Sequence, residues 1–283
     1  MLKKTIPLII GKFIQIKAIF SPEKAVDQAF NLFCTPRKGR ASEKHQNFFN
    51  TAVEEKFSTN NHQIQTYHWK GFGETVILLH GWESNSFRWK SLINALQKEN
   101  YNIIAIDAPA QGNSSGKYLN VPLYTACVKD IVEVHKPSIV IGHSLGGMTA
   151  IYHQMKYTNP CIKNIIALGP PSELSFFMKS FQMTLGLSNK FMKKMDNYLN
   201  ERFGFYAHQF SISEFAKSMK INGLLILEKH DDLAPYKYSK RIAINWKNCE
   251  LFTVENIGHS LQSPDINNKI ISYLKSEILQ ESI

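Results

Sequence analysis

The sequence predicts an α/β fold: a mostly parallel sheet, covered by helices on both faces, with a helical insertion late in the chain. Two observations predict it. Short, continuously apolar runs at 74–79, 102–106, 138–141, 164–168, 223–227 and 250–254 alternate with helical stretches, the pattern of strands buried on both faces. One of these runs passes straight into the pentapeptide Gly142-His143-Ser144-Leu145-Gly146, followed by a helical run at 148–155. At 283 residues the chain is long enough for a large buried core.

Taken in order, residues 1–20 place Ile6, Ile9, Ile10, Phe13, Ile16 and Phe20 at helical spacing, with Lys3, Lys4, Lys12 and Lys17 largely elsewhere. Lys12 interrupts any secretion-signal core, and no run reaches the length that spans a bilayer. The leading expectation is a helix packed on its own domain. A helix in weak contact with a membrane surface and a poor secretion signal are the two alternatives. Residues 1–50 read as a helical extension and 51–283 as the main domain. At its start, runs at 53–58 and 63–69 flank Asn60-Asn61, a tight hairpin turn. The stretch 171–211 breaks the strand–helix rhythm and is rich in Phe and Met, among them Phe176, Phe177, Met178, Met183, Phe191 and Met195. It reads as an apolar cap over the serine, or as helices burying those residues against their own domain, and the two are not exclusive. A closing helix at 266–279 carries Ile270, Ile271 and Leu274 at helical spacing.

The G-x-S-x-G spacing has a steric cause. A serine at a sharp strand-to-helix turn adopts strained backbone geometry, and the helix start passes so close to the strand that only glycine fits at Gly142 and Gly146. The hydroxyl of Ser144 is thereby presented at the positive end of a helix, as a nucleophile requires. Among ten histidines, His259 alone falls between the last strand run and the closing helix, in a Gly-His-Ser loop free to reach another loop. The acid is expected where the run at 223–227 breaks into a polar, proline-closed loop. Asp231 is the favoured residue, with adjacent Asp232 and the earlier Glu173 as alternatives. The order Ser…Asp…His then follows along the chain. Two backbone N–H groups complete an oxyanion hole: Leu145, next to the nucleophile, and Trp82, after the strand-ending His80-Gly81.

These segments resemble the α/β-hydrolase superfamily. The His-Gly-Trp loop, the Asp107–Ser114 turn, the Gly-His-Ser-Leu-Gly-Gly elbow, the Asp231 loop and Gly258-His259 match the family pattern in order, over residues ~52 to ~275. The Asp107 turn departs from it, with Ala110 and Gln111 where glycine and histidine are common, which bears on shape more than chemistry. Leu32-Phe-Cys-Thr-Pro-Arg37 further resembles a bacterial subgroup with an N-terminal helical extension. The resemblance implies an α/β-hydrolase fold; the Ser-His-Asp set predicts a serine esterase without metal or organic cofactor, and the Phe- and Met-rich stretch points to a hydrophobic acyl or aromatic group. Thioesterase, amidase or acyltransferase chemistry would use the same triad, and a non-catalytic ligand-binding or membrane-surface protein is the alternative from another class.

Composition narrows the partners. The net charge of +10 is mainly scattered lysine with no arginine stripe, which argues for a solvated surface and against a nucleic-acid partner. Four cysteines stand far apart without a C-x-x-C pair, as expected of reduced thiols in a cytoplasmic protein rather than a disulfide frame or zinc site. The expected partner is a small-molecule substrate.

Overall fold

Strand pairing begins at the hairpin. In the computed structural model, which describes residues 2–281 and the side chains of 5–277, strand β1 (Val53–Thr59) turns at Asn60 and Asn61 into β2 (His62–Trp69). Both asparagines take positive φ, 47° and 60°, so the two-residue turn has the twist that antiparallel strands need. The chain continues through β3 (Thr75–Leu79), β4 (Asn102–Ile106), β5 (Ile139–His143), β6 (Asn164–Leu168), β7 (Asn222–Glu228) and β8 (Cys249–Val254). Helices α1 (Leu2–Phe20), α2 (Pro22–Phe33) and α3 (Glu43–Phe49) precede the hairpin. Between strands lie α4 (Lys90–Lys98), α5 (Val121–His135) and α6 (Leu145–Tyr157). Then come α7 (Leu174–Leu185), α8 (Asn189–Phe203), α9 (Ile212–Phe215), α10 (Tyr236–Asn245) and α11 (Pro264–Glu281). Lys3 and Lys4 lie outside the described side chains.

The chain divides into two compact units, Pro36–Ser172 with Ile212–Ile283, and Met1–Thr35 with Glu173–Ser211. The larger holds one eight-stranded sheet in the order β1-β2-β4-β3-β5-β6-β7-β8. From β4 to β8 every neighbouring pair is parallel, and β1 and β2 join antiparallel at one edge. Val76, Ile103, Ile141, Ile166 and Leu224 pack with Leu92 and Leu96 of α4 and Ile270 and Leu274 of α11. The alternating partners, such as Ile77, Ile104, Val140 and Leu225, are equally buried and point to the opposite face. There α6 begins, with Gly147 in contact range of Ala167. Burial on both faces is why β3 to β7 read as apolar runs, whereas β8, at the sheet edge, is exposed or half-buried along its length. The strand order reverses at β3, flanked by β4 and β5, which opens a crevice beyond the carboxyl ends of those strands.

The smaller unit is built on α1, α2, α7 and α8, with one antiparallel bridge, Glu173 to Ser211, at the ends of the insertion. Ile14, Ala25, Val26, Ala29 and Phe30 of α1 and α2 share one core with Met178, Leu185, Phe191 and Met195 of α7 and α8. Residues 1–35 of the N-terminal extension and the late insertion, 138 residues apart in sequence between Thr35 and Glu173, thus form one packed body, whereas α3 belongs to the larger unit, with Phe48 and Phe49 in the core of the sheet. A Cβ on Gly11 would lie 1.7 Å from the Leu185 carbonyl oxygen, so α1 and α7 touch backbone to backbone and only glycine fits. Gln15 fastens the same contact, donating to Gly186 O at 3.2 Å and accepting from Ser188 N at 2.9 Å. On α2, Asp27 accepts from the Tyr198 hydroxyl of α8 at 2.8 Å. Several Phe and Met residues of the insertion, Met178, Phe191 and Met195 among them, are therefore spent on this core.

Candidate active site

The elbow closes because its two glycines lack side chains. A Cβ on Gly142 would sit 2.4 Å from Gly146 O, and one on Gly146 would sit 2.1 Å from Leu79 O. With α6 pressed that closely against β5 and β3, Ser144 is forced to φ 52°, ψ −118°, a conformation L-residues avoid and functional sites retain. Its N–H donates to Leu168 O at 2.8 Å, tying the elbow to β6. The helix starts at Leu145, earlier than the run expected at 148–155. Gly146 and Gly147 are poor helix formers, and packing overrides that preference. Leu145 N, at the first position of α6, belongs to the N–H groups that have no partner within their helix.

His259 Nε2 lies 3.0 Å from Ser144 Oγ, and His259 Nδ1 lies 2.6 Å from Asp231 Oδ2. The other oxygen of Asp231 accepts from Leu233 N at 2.8 Å and Ala234 N at 2.9 Å. Burial alone would raise the Asp231 carboxyl, but the His259 hydrogen bond and these backbone donors outweigh it and hold it below its ordinary value. An ionised acceptor at Nδ1 selects the tautomer whose Nε2 lone pair faces the serine. Of the three candidate acids, Asp231 is the one that meets His259. Asp232 beside it is exposed, and Glu173, in the helical unit, accepts from Ser211 Oγ at 3.0 Å.

The turn after β3 approaches from the other side. A Cβ on Gly81 would lie 2.9 Å from the Cβ of Ser144, so the backbone that carries Trp82 abuts the nucleophile. His80 braces this turn, its Nδ1–H donating to Gly81 O at 2.8 Å and its Nε2 accepting from Ala108 N at 2.9 Å. Burial lowers its pKa and keeps the ring neutral. Asp107 gathers Ser86 N and Asn113 N at 2.8 Å each. In the turn that follows, Ala110 bears φ 65°, a strain glycine would avoid, and Gln111 Oε1 accepts from Ser84 N at 2.7 Å.

Three tethers hold the His259 loop and leave no signal in the sequence. Glu228, ending β7, accepts from His230 N and Asn256 N at 3.1 Å on one oxygen, and from Ile257 N at 2.8 Å and Gly258 N at 3.2 Å on the other. Burial works to raise its carboxyl, yet these donors hold it below the ordinary value. His143, buried and kept neutral by burial and by the charge of Arg88, donates from Nε2 to His259 O at 2.8 Å. Arg88 Nη2 donates to Ser260 O at 2.8 Å.

The mostly parallel eight-stranded sheet and the segment that carries the elbow match known proteins. The family described as serine aminopeptidase, S33, matches residues 70–209. An esterase of Pyrococcus furiosus has a similar structure, with a TM-score of 0.62 at 23% identity, covering 86% of this chain and 96% of that one. The chain is an α/β-hydrolase. A serine hydrolase-like protein of Danio rerio is 30% identical to this α/β-hydrolase over 145 residues, 46% of the chain and 41% of the relative. A pimeloyl-acyl-carrier-protein methyl ester esterase of Vibrio atlanticus is 26% identical over 105 residues, 37% of the chain and 40% of the relative. The chain thus spans less than half the length of either.

Proposed function

We propose that this α/β-hydrolase is a serine esterase that cleaves a carboxylic ester through an acyl-enzyme. The observation that carries the reading is the hydrogen-bonded line Ser144–His259–Asp231, at 3.0 and 2.6 Å. His259 Nε2 takes the hydroxyl proton as Ser144 Oγ attacks the ester carbon, and Asp231 stabilises the imidazolium. The oxyanion is held by the N–H groups of Leu145 and Trp82. Collapse expels the alcohol, protonated by His259. Water, activated by the same imidazole, then attacks the acyl-enzyme and releases the acid. No step needs a metal or organic cofactor.

An ester is favoured because ester-cleaving relatives lie among the matches, the Vibrio enzyme by its name and the Pyrococcus protein by fold. A hydrophobic acyl or aromatic group is favoured by the Phe and Met side chains of 171–211 that the helical core does not take up, Phe176, Phe177 and Met183. The test is hydrolysis of a p-nitrophenyl ester series from acetate to decanoate, with fluorophosphonate labelling followed by peptide mapping. Turnover with a label on Ser144 supports the reading. Absence of both overturns it. Labelling without ester turnover, but with turnover of a thioester or amide, reassigns the bond while keeping the triad.

A further inference from the structure

Helix α1 is apolar on two sides, and the helical unit uses one. Gly11 and Ile14 are buried against it, whereas Ile6, Ile9, Phe13, Ile16 and Phe20 are exposed, Phe13 at 68% and Phe20 at 81%. At 3.6 residues per turn these five fall within about 80° of arc, roughly opposite Gly11 and Ile14. An exposed stripe of large apolar side chains this long marks an interaction surface rather than ordinary scatter. Lys12 and Lys17 stand on its two sides at the same helical spacing, both exposed, with Lys17 Nζ also donating to Gln28 Oε1 at 2.7 Å. Residues 1–20 carry four lysines and no acidic residue.

We propose that α1 docks the protein on an anionic lipid surface, with Ile6, Ile9, Phe13, Ile16 and Phe20 at the acyl–headgroup boundary and Lys12 and Lys17 among the phosphates. A basic helix with an apolar stripe binds by buried area and by attraction to anionic headgroups. Charge decides the occupant. Pairing with a second copy would set lysine-edged stripes against one another with no acid on either to compensate. Anionic lipid supplies the missing sign, and the chain's net charge of +10 adds attraction at longer range. The helix lies on the surface and does not cross it: no described helix is long and apolar enough to span a membrane.

Co-sedimentation of the full chain with phosphatidylcholine vesicles, with and without about one-third phosphatidylglycerol, tests this. Binding to the anionic vesicles is expected, about 10-fold weaker without phosphatidylglycerol or at high salt. The triple variant F13S/I16S/F20S and the double variant K12E/K17E are each expected to lose about 10-fold in affinity or more. Their circular dichroism and melting temperature stay near wild type, because the altered side chains are exposed. Equal partitioning of the wild type and the triple variant overturns the proposal, as does failure of the wild type to bind anionic vesicles at low salt. A wild-type dimer that the triple variant converts to monomer, without vesicle binding, also overturns it and gives the stripe to a second copy.

Discussion

Two loops bring Ser144 and His259 together, and they are held by different physics. The elbow at Ser144 is a backbone device. Its shape follows from main-chain contacts of Gly142 and Gly146 that no side chain can enter. The loop of His259 has no such frame. Asn256, Gly258 and Leu261 all take positive φ, and the loop is held by the side chains of Glu228, His143 and Arg88 reaching in from other elements. Steric frames fail all at once, because an added carbon has nowhere to go. Polar tethers fail by degrees, each releasing part of the loop.

The largest effect should come from the chemistry both loops serve. Ser144→Ala is expected to lower kcat/KM for a p-nitrophenyl ester by about 10,000-fold or more with little change in melting temperature. Residual turnover within 10-fold of wild type would place the nucleophile elsewhere.

Breaking the elbow itself should damage structure and activity together. In Gly146→Val, a branched side chain would stand where even a Cβ lies 2.1 Å from Leu79 O, at a cost on the order of 3 kcal/mol or more. A fall in the thermal midpoint with matching loss of activity is expected; a variant melting like wild type would mean the close approach is dispensable.

Loosening the other loop should separate the two readouts. Glu228→Gln leaves one acceptor oxygen where the carboxylate offered two. We expect kcat to fall about 10- to 100-fold through misplacement of His259, and the melting temperature to drop by ~5 °C. The same substitution has a pH signature. Because the folded protein holds the Glu228 carboxyl below its ordinary 4.5, its stabilisation is complete above that value and is lost as pH falls through the lowered folded value. Melting curves from pH 6 down to about pH 3 should therefore decline more steeply for wild type than for Glu228→Gln. Parallel declines would remove Glu228 from the acid response.

Arg88→Ala should give the smallest change. One hydrogen bond to Ser260 O is lost at the loop margin, while Glu228 and His143 still hold the turn. A fall in kcat of about 3-fold is expected. A loss as large as that of Glu228→Gln would show that the outer tether matters as much as the inner one.

The strands, the hairpin turn and the elbow are legible in the amino-acid order alone. Each leaves a mark within a few residues: strands covered on both faces must be apolar throughout, a two-residue hairpin selects asparagine, and a serine turn this tight admits only glycine at its flanks. Strand ends and chain order also mark Ser144 and His259, with Asp231 ahead of Asp232 and Glu173, as candidates. Which of Asp231, Asp232 and Glu173 meets His259 emerges only in the folded chain, since adjacent loop residues point in different directions and spacing does not say which. The fold alone shows that residues 1–35 and the insertion form one helical body, because the backbone contact at Gly11 joins segments 174 residues apart, Gly11 and Leu185. The tethers were hidden for the same reason. Glu228 at a strand end and His143 inside the elbow look ordinary in the sequence, and the loop groups they bind, at 256–259, lie far along the chain. A hydrogen bond between distant segments imposes no periodicity on either, so only the fold that brings them together makes it visible.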